Sequence, residues 1–162
     1  LKKNLRNSNE INRFVNDIFN IETEDSGVSD ELNVNQLTLT GDLNNQEKQT
    51  EKELPKILFE LKEDGIDFSD IAILGLKDSH IKFIKSIKAL GKEIEDIENL
   101  LVDSSLRYKG LEKDVIIAVY PDFPTDAKAR LYSQIYTGVT RPKKMLHLLI
   151  GENNFEFVKS YK

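Results

Sequence analysis

Apolar positions recur along this chain with two different spacings. In residues 8–20, Ile11, Phe14, Val15, Ile18 and Phe19 fall at i, i+3, i+4, i+7 and i+8. That is one stripe of a helix, with Ser8 or Asn9 as its cap and Glu10 in its first turn. Residues 21–32 are acidic, polar and without period, as an exposed loop is. Residues 34–40 (VNQLTLT) alternate and are rich in β-branched side chains, which predicts a strand, at a sheet edge. The spacing then predicts a helix over 46–64, with Leu54, Ile57, Leu58 and Leu61 inward and Gly65 closing it. Beyond it come a short apolar strand at 71–74, a helix over 79–90 stopped at Gly91, and strands at 99–103 and 115–120. A helix over 124–139 with Leu131 and Ile135 inward, a strand at 145–150 and a polar tail complete the series.

Strands that read as unbroken apolar runs, separated by helices, are buried on both faces. Right-handed crossovers then give an α/β fold of three layers, α/β/α, with a mainly parallel sheet. One domain over residues 1–162 accounts for the length of 162 residues and 18.6 kDa. The first residue is Leu1, and the chain opens inside an apparent element, so it reads as a fragment of a longer protein.

Composition removes several function classes. There are no cysteines, so there is no disulfide scaffold, thiolate zinc site or thiol nucleophile. The two histidines, His80 and His147, are far apart in sequence, and no metal site is expected. His147 sits inside the apolar run MLHLLI as a packed side chain, and His80 begins a helix, where a surface position is expected. No apolar run is long enough to span a bilayer and no secretory leader opens the chain, so the default expectation is a cytoplasmic protein. A net charge of −5 gives no support to strong autonomous nucleic-acid binding, though it permits a local contact.

No G-x-x-x-x-G-K-[ST] occurs, so the chain has no phosphate-cradling P-loop, and no other self-contained catalytic motif is present. Carboxylate neighbours such as Glu24 and Asp25, or Glu95 and Asp96, belong to solvated faces. Three segments stand apart because they place basic or polar residues at element junctions: NLRNSNEI (4–11), SSLRYKGLEKDVII (104–117) and YTGVTRPKKMLHLLI (136–150). In a parallel sheet, junctions at the strand ends are where ligands gather.

Those three segments, in this order, resemble motifs IV, V and VI of the C-terminal RecA-like motor domain of UvrD-like superfamily 1 DNA helicases. Asn4 and Arg6 match the first. Lys109-Gly110-Leu111-Glu112 matches the core of the second. Tyr136, Thr140, Arg141, Lys143 and Lys144 match the third. The interval between Arg6 and Lys109 holds no large accessory domain, so the resemblance is to a compact variant. It implies a RecA-like domain without its own P-loop, serving as the second motor domain of an ATP-dependent helicase or translocase. ATP and Mg²⁺ would be bound mainly by an N-terminal motor domain, and single-stranded DNA would run along the shared groove. Arg141 would be the arginine finger and Arg6 a second arginine reaching the γ-phosphate, a role suited to a planar, permanently charged fork. Gly110 and Glu112 would lie near the nucleotide, Glu112 accepting from a ribose hydroxyl. Ser104 and Ser105 would donate to DNA phosphates. The isolated chain would not hydrolyse ATP.

Each residue also has a plainer reading. Arg6 could pair with Glu10 one turn on, Arg141 could serve only the helix dipole, Lys143 and Lys144 could be solvated, Gly110 a turn and Glu112 surface charge. Two alternatives to the motor stay open: a non-catalytic RecA-like interaction or DNA-binding module, and the motor part of a helicase-nuclease.

Overall fold

The computed structural model describes residues 33–105, 107 and 112–161. Arg6, Gly110, the expected helix over 8–20 and the acidic loop over 21–32 lie outside the described residues.

Strand β1 (Asn33–Leu39) leads into helix α1 (Leu43–Glu63). Asp42 caps this helix, its carboxylate accepting from Asn45 N at 2.9 Å. Leu54, Leu58 and Leu61 form its buried stripe. It ends in a Schellman turn: Gly65 takes φ +80°, Gly65 N donates to Lys62 O, and Ile66 N donates to Leu61 O. Strand β2 (Ile71–Gly75) and helix α2 (Asp78–Ser86) follow. The helical spacing of Ile81, Ile84, Ile87 and Leu90 extends the expected helix too far. The chain instead turns into a small hairpin, β3 (Lys88–Ala89) and β4 (Lys92–Glu93). Leu90 and Gly91 both take positive φ at its tip, and Ile94 N donates to Ile87 O.

Strands β5 (Leu101–Ser104) and β6 (Lys113–Tyr120), helix α3 (Lys128–Val139), strand β7 (Pro142–Gly151) and helix α4 (Glu152–Ser160) complete the fold. Helix α3 begins later than its sequence pattern suggests. The Thr125 hydroxyl accepts from Ala127 N and stabilises a non-helical turn after Pro124. The expected polar tail is helix α4, and its cap comes from another part of the chain. Asp122 accepts from Asn153 N at 3.1 Å and from Asn154 N at 2.8 Å.

The main sheet has the order β1-β7-β6-β2-β5, and every pairing in it is parallel. Among the described residues β1 is an edge strand, as expected. Alternate residues of each central strand enter different cores. Ile71, Ile73, Val115, Ile117, Val119 and Leu149 join the leucines of α1. Ala72, Leu74, Ile116, Ala118, Leu146, Leu148 and Ile150 join Leu131, Ile135 and Val139 of α3 and Val158 of α4. The sheet is therefore the middle of three layers, as the apolar runs imply.

Candidate functional site

The sequence residues fall into two groups, those that close strands and those that open them. Ser104 and Ser105 come at the end of β5. Glu112 and Arg141 immediately precede β6 and β7. Those two strand starts are neighbours, because Lys113 pairs with Pro142. Two residues remote in sequence, Glu112 and Arg141, are thus presented side by side, both partly exposed.

Arg141 is held by the backbone that precedes it. The Thr140 hydroxyl donates to Tyr136 O (3.0 Å) and Thr137 O (3.1 Å), and Arg141 N donates to Gly138 O at 3.3 Å. Beyond Arg141, Lys143 and Lys144 are exposed and each lies 3.7 Å from Asp114. Lys113 donates to Ser69 O at 2.6 Å.

At the end of β5 the two serines have different surroundings. Ser105 is fully buried, and its hydroxyl lies 2.6 Å from the hydroxyl of buried Tyr120. Burial pushes the Tyr120 phenol above its ordinary range, and the bond to Ser105 partly opposes that rise. Gly138 packs on this pair, and any Cβ there would collide with the Tyr120 hydroxyl. The last turn of α3, from which Arg141 follows, therefore rests directly on Ser105. The Ser104 hydroxyl accepts from Arg107 N at 3.2 Å; a hydroxyl that accepts still carries a proton to donate.

Ser104 also lines an open cleft of about 360 Å³ between the end of β5, the start of α2 and the first turns of α3. Lys77, Asp78, Arg107, Phe123 and Arg130 share its wall. Lys77 Nζ sits 4.6 Å from the centroid of the Phe123 ring, a cation–π contact. Arg107 Nε donates to Asp103 at 2.8 Å, and its Nη2 reaches Asp78 at 3.4 Å. The Asp103 carboxylate raises the Arg107 pKa further, with Asp78 adding to it. Arg107 lies in a segment that stood out in sequence, but Lys77, Phe123 and Arg130 did not. They come from separate segments, and only the crossing of the chain at this edge assembles them.

His80 corrects a sequence expectation. It begins α2 but is buried, only 5% exposed, because Phe123 closes over it. The two rings meet edge to face with centroids 5.3 Å apart. Neither imidazole nitrogen has a hydrogen-bond partner among the described residues. Burial, and then the Lys77 ammonium, hold its pKa down to about 4. His147 is half-buried on β7, inside the sheet between β1 and β6, and lies 3.1 Å from Met145 Sδ. Burial lowers its pKa as well. No group of three or more His, Asp or Glu that could hold a metal ion occurs among the described residues. No described helix is long and apolar enough to cross a membrane.

The architecture superposes on a crystal structure of the C-terminal domain of a possible DNA helicase from Lactobacillus plantarum WCFS1. The TM-score is 0.58, with 18% identity, covering 90% of this chain and 86% of that one. The two chains share a fold. In this chain that fold is an α/β one, a parallel sheet between helical layers, an arrangement consistent with a RecA-like domain. No protein-family model matches the chain, and no curated protein matches it.

Proposed function

We propose that this chain is the second motor domain of an ATP-dependent DNA helicase or translocase of the UvrD-like kind. It would supply arginine to ATP held mainly by an N-terminal motor domain and would contact single-stranded DNA. The observation that carries this reading is the pairing of Lys113 with Pro142, which sets Glu112 beside Arg141 at two adjacent strand starts. A carboxylate and a guanidinium so placed suit the ribose hydroxyl and the γ-phosphate of one nucleotide. Arg6 and Gly110 would complete the set. The shared fold of a helicase C-terminal domain is consistent with this reading.

ATP, bound with Mg²⁺ mainly by the N-terminal motor domain, would supply the γ-phosphoryl group whose transfer to water drives the cycle. The chain's own part is electrostatic. The Arg141 guanidinium stabilises charge growing on the γ-phosphoryl oxygens, and its backbone is fixed in advance by Thr140 and Gly138. The last turn of α3 joins Arg141 to Ser105 through Gly138. That connection lets a change at the nucleotide reach the cleft, where Lys77, Arg107 and Arg130 offer positive charge and Phe123 an aromatic ring. Cations along a groove together with an aromatic surface suit a single strand of nucleic acid.

The deciding experiment is DNA-stimulated ATPase. The isolated chain shows none. Joined to its P-loop domain, the protein turns over ATP, and Arg141→Ala lowers kcat by about 10³-fold, in the range found for arginine fingers. Turnover unaffected by Arg141→Ala removes the finger assignment, and no DNA-stimulated turnover in the joined protein removes the motor reading and leaves an interaction module.

A further inference from the structure

Arg107 carries an inference of its own, which rests on the nucleic-acid reading above. Its backbone is anchored, because Arg107 N donates to the Ser104 hydroxyl at 3.2 Å. Its side chain is exposed and meets two carboxylates from different elements, Asp103 at the end of β5 and Asp78 at the start of α2. The partners are unequal. Asp103 also accepts from Ser104 N at 2.7 Å, so it stays in place whether or not Arg107 is there. Asp78 is 81% exposed, and among the described residues its side chain has no other hydrogen bond. The guanidinium thus stands at the edge of the cleft with its outward nitrogen on a weakly held, solvated acceptor. Exposed ion pairs of this kind contribute little and exchange readily.

A phosphodiester offers the same fork the same type of acceptor, two oxygens sharing a negative charge. We propose that Arg107 is a phosphate-binding residue of the cleft. In the unbound protein Asp78 stands in for the phosphate of a single-stranded nucleic acid. Binding exchanges Asp78 for a phosphate oxygen while Asp103 goes on holding the Nε edge. Lys77 and Arg130, on the same wall, take the neighbouring phosphates.

The test is fluorescence anisotropy of a labelled oligothymidylate titrated with the full chain over a range of salt concentrations. Four variants are compared with wild type: Arg107→Ala, Arg107→Lys, Asp78→Asn, and the double variant Asp78→Asn with Arg107→Ala. Arg107→Ala is expected to weaken binding by about threefold to tenfold and to lower the slope of log K against log salt by about 0.7, the share of one phosphate contact. Arg107→Lys restores that slope, because the charge is kept, and recovers only part of the affinity. Asp78→Asn tightens binding by about twofold to threefold, and this gain shrinks when Arg107 is alanine. An equal gain in both backgrounds means that Asp78 merely repels the strand, and it overturns the exchange. Binding in which Arg107→Ala changes neither affinity nor slope overturns the assignment of Arg107 while leaving the cleft a nucleic-acid site. Absence of binding by wild type and every variant at low salt overturns the nucleic-acid reading itself. All variants share the wild-type melting temperature within a few degrees, since the substituted side chains are outside both cores.

Discussion

The residues that close the strands and those that open them are built differently. At the strand ends polar groups are buried and bonded to one another. Tyr120 and Ser105 share a hydrogen bond beneath Gly138. Gln46 donates to Asp122 and accepts from Asp122 N, while Asn154 reaches the carbonyls of Tyr120 and Pro121. At the strand starts the side chains are charged and reach solvent, Lys113 and Asp114 in part and Lys143 and Lys144 more fully. A buried polar group that loses its partner incurs the full cost of its desolvation, whereas an exposed pair gives up little. Substitutions of these buried groups at the strand ends therefore disturb the fold along with any function. Those at the strand starts can report function alone.

Stability measurements can break that contrast. The largest effect is expected from acid. The His80 pKa lies near 4 in the folded protein and near 6.5 in the unfolded chain. The unfolded state takes up a proton first, so stability is unaffected by this group above pH 6.5 and falls as the pH drops toward 4. The full shift amounts to about 3 kcal/mol. In denaturant melts from pH 7 to 4, wild type should lose stability relative to His80→Leu by roughly that amount. A constant difference across the range contradicts a buried, neutral imidazole.

Next in size is Gly138→Ala, expected to cost about 1–3 kcal/mol because the new methyl meets the Tyr120 hydroxyl in a closed core. Tyr120→Phe removes that hydroxyl, so the double variant should recover part of the loss in thermal melts. Additive losses would show that the collision is not with the hydroxyl. The smallest effect belongs to the strand starts. Asp114→Asn gives up two long ion pairs and should move stability by no more than about 0.5 kcal/mol. A loss near that of Gly138→Ala would end the distinction between the two regions.

The sheet was legible in sequence because β2, β6 and β7 are apolar on both sides, which leaves a signature no surface strand has. Helix α4 was not, since its N-terminal cap is Asp122, thirty residues upstream. The hairpin after α2 was hidden by isoleucines that keep a helical spacing while turning out of the helix. For the candidate site, short motifs pointed to Glu112 and Arg141, and their adjacency appeared only with the register of β6 on β7. The cleft was invisible for the same reason that His80 looked exposed. Phe123, which forms one wall and covers the imidazole, arrives from a loop that sequence spacing does not connect to α2.

The edge strand has a consequence for how the chain is made. Among the described residues β1 pairs with β7 alone, and the leucines of α1 share their core with Leu149 of that same strand. Both elements are translated long before their partner. Contacts so distant in sequence form late. From the time β1 leaves the ribosome until β7 follows it, the edge of β1 that pairs with β7 stays open, while α1 can already cover Ile71 and Ile73 of β2. The edge that β1 keeps open until then is the part of the fold that is completed last.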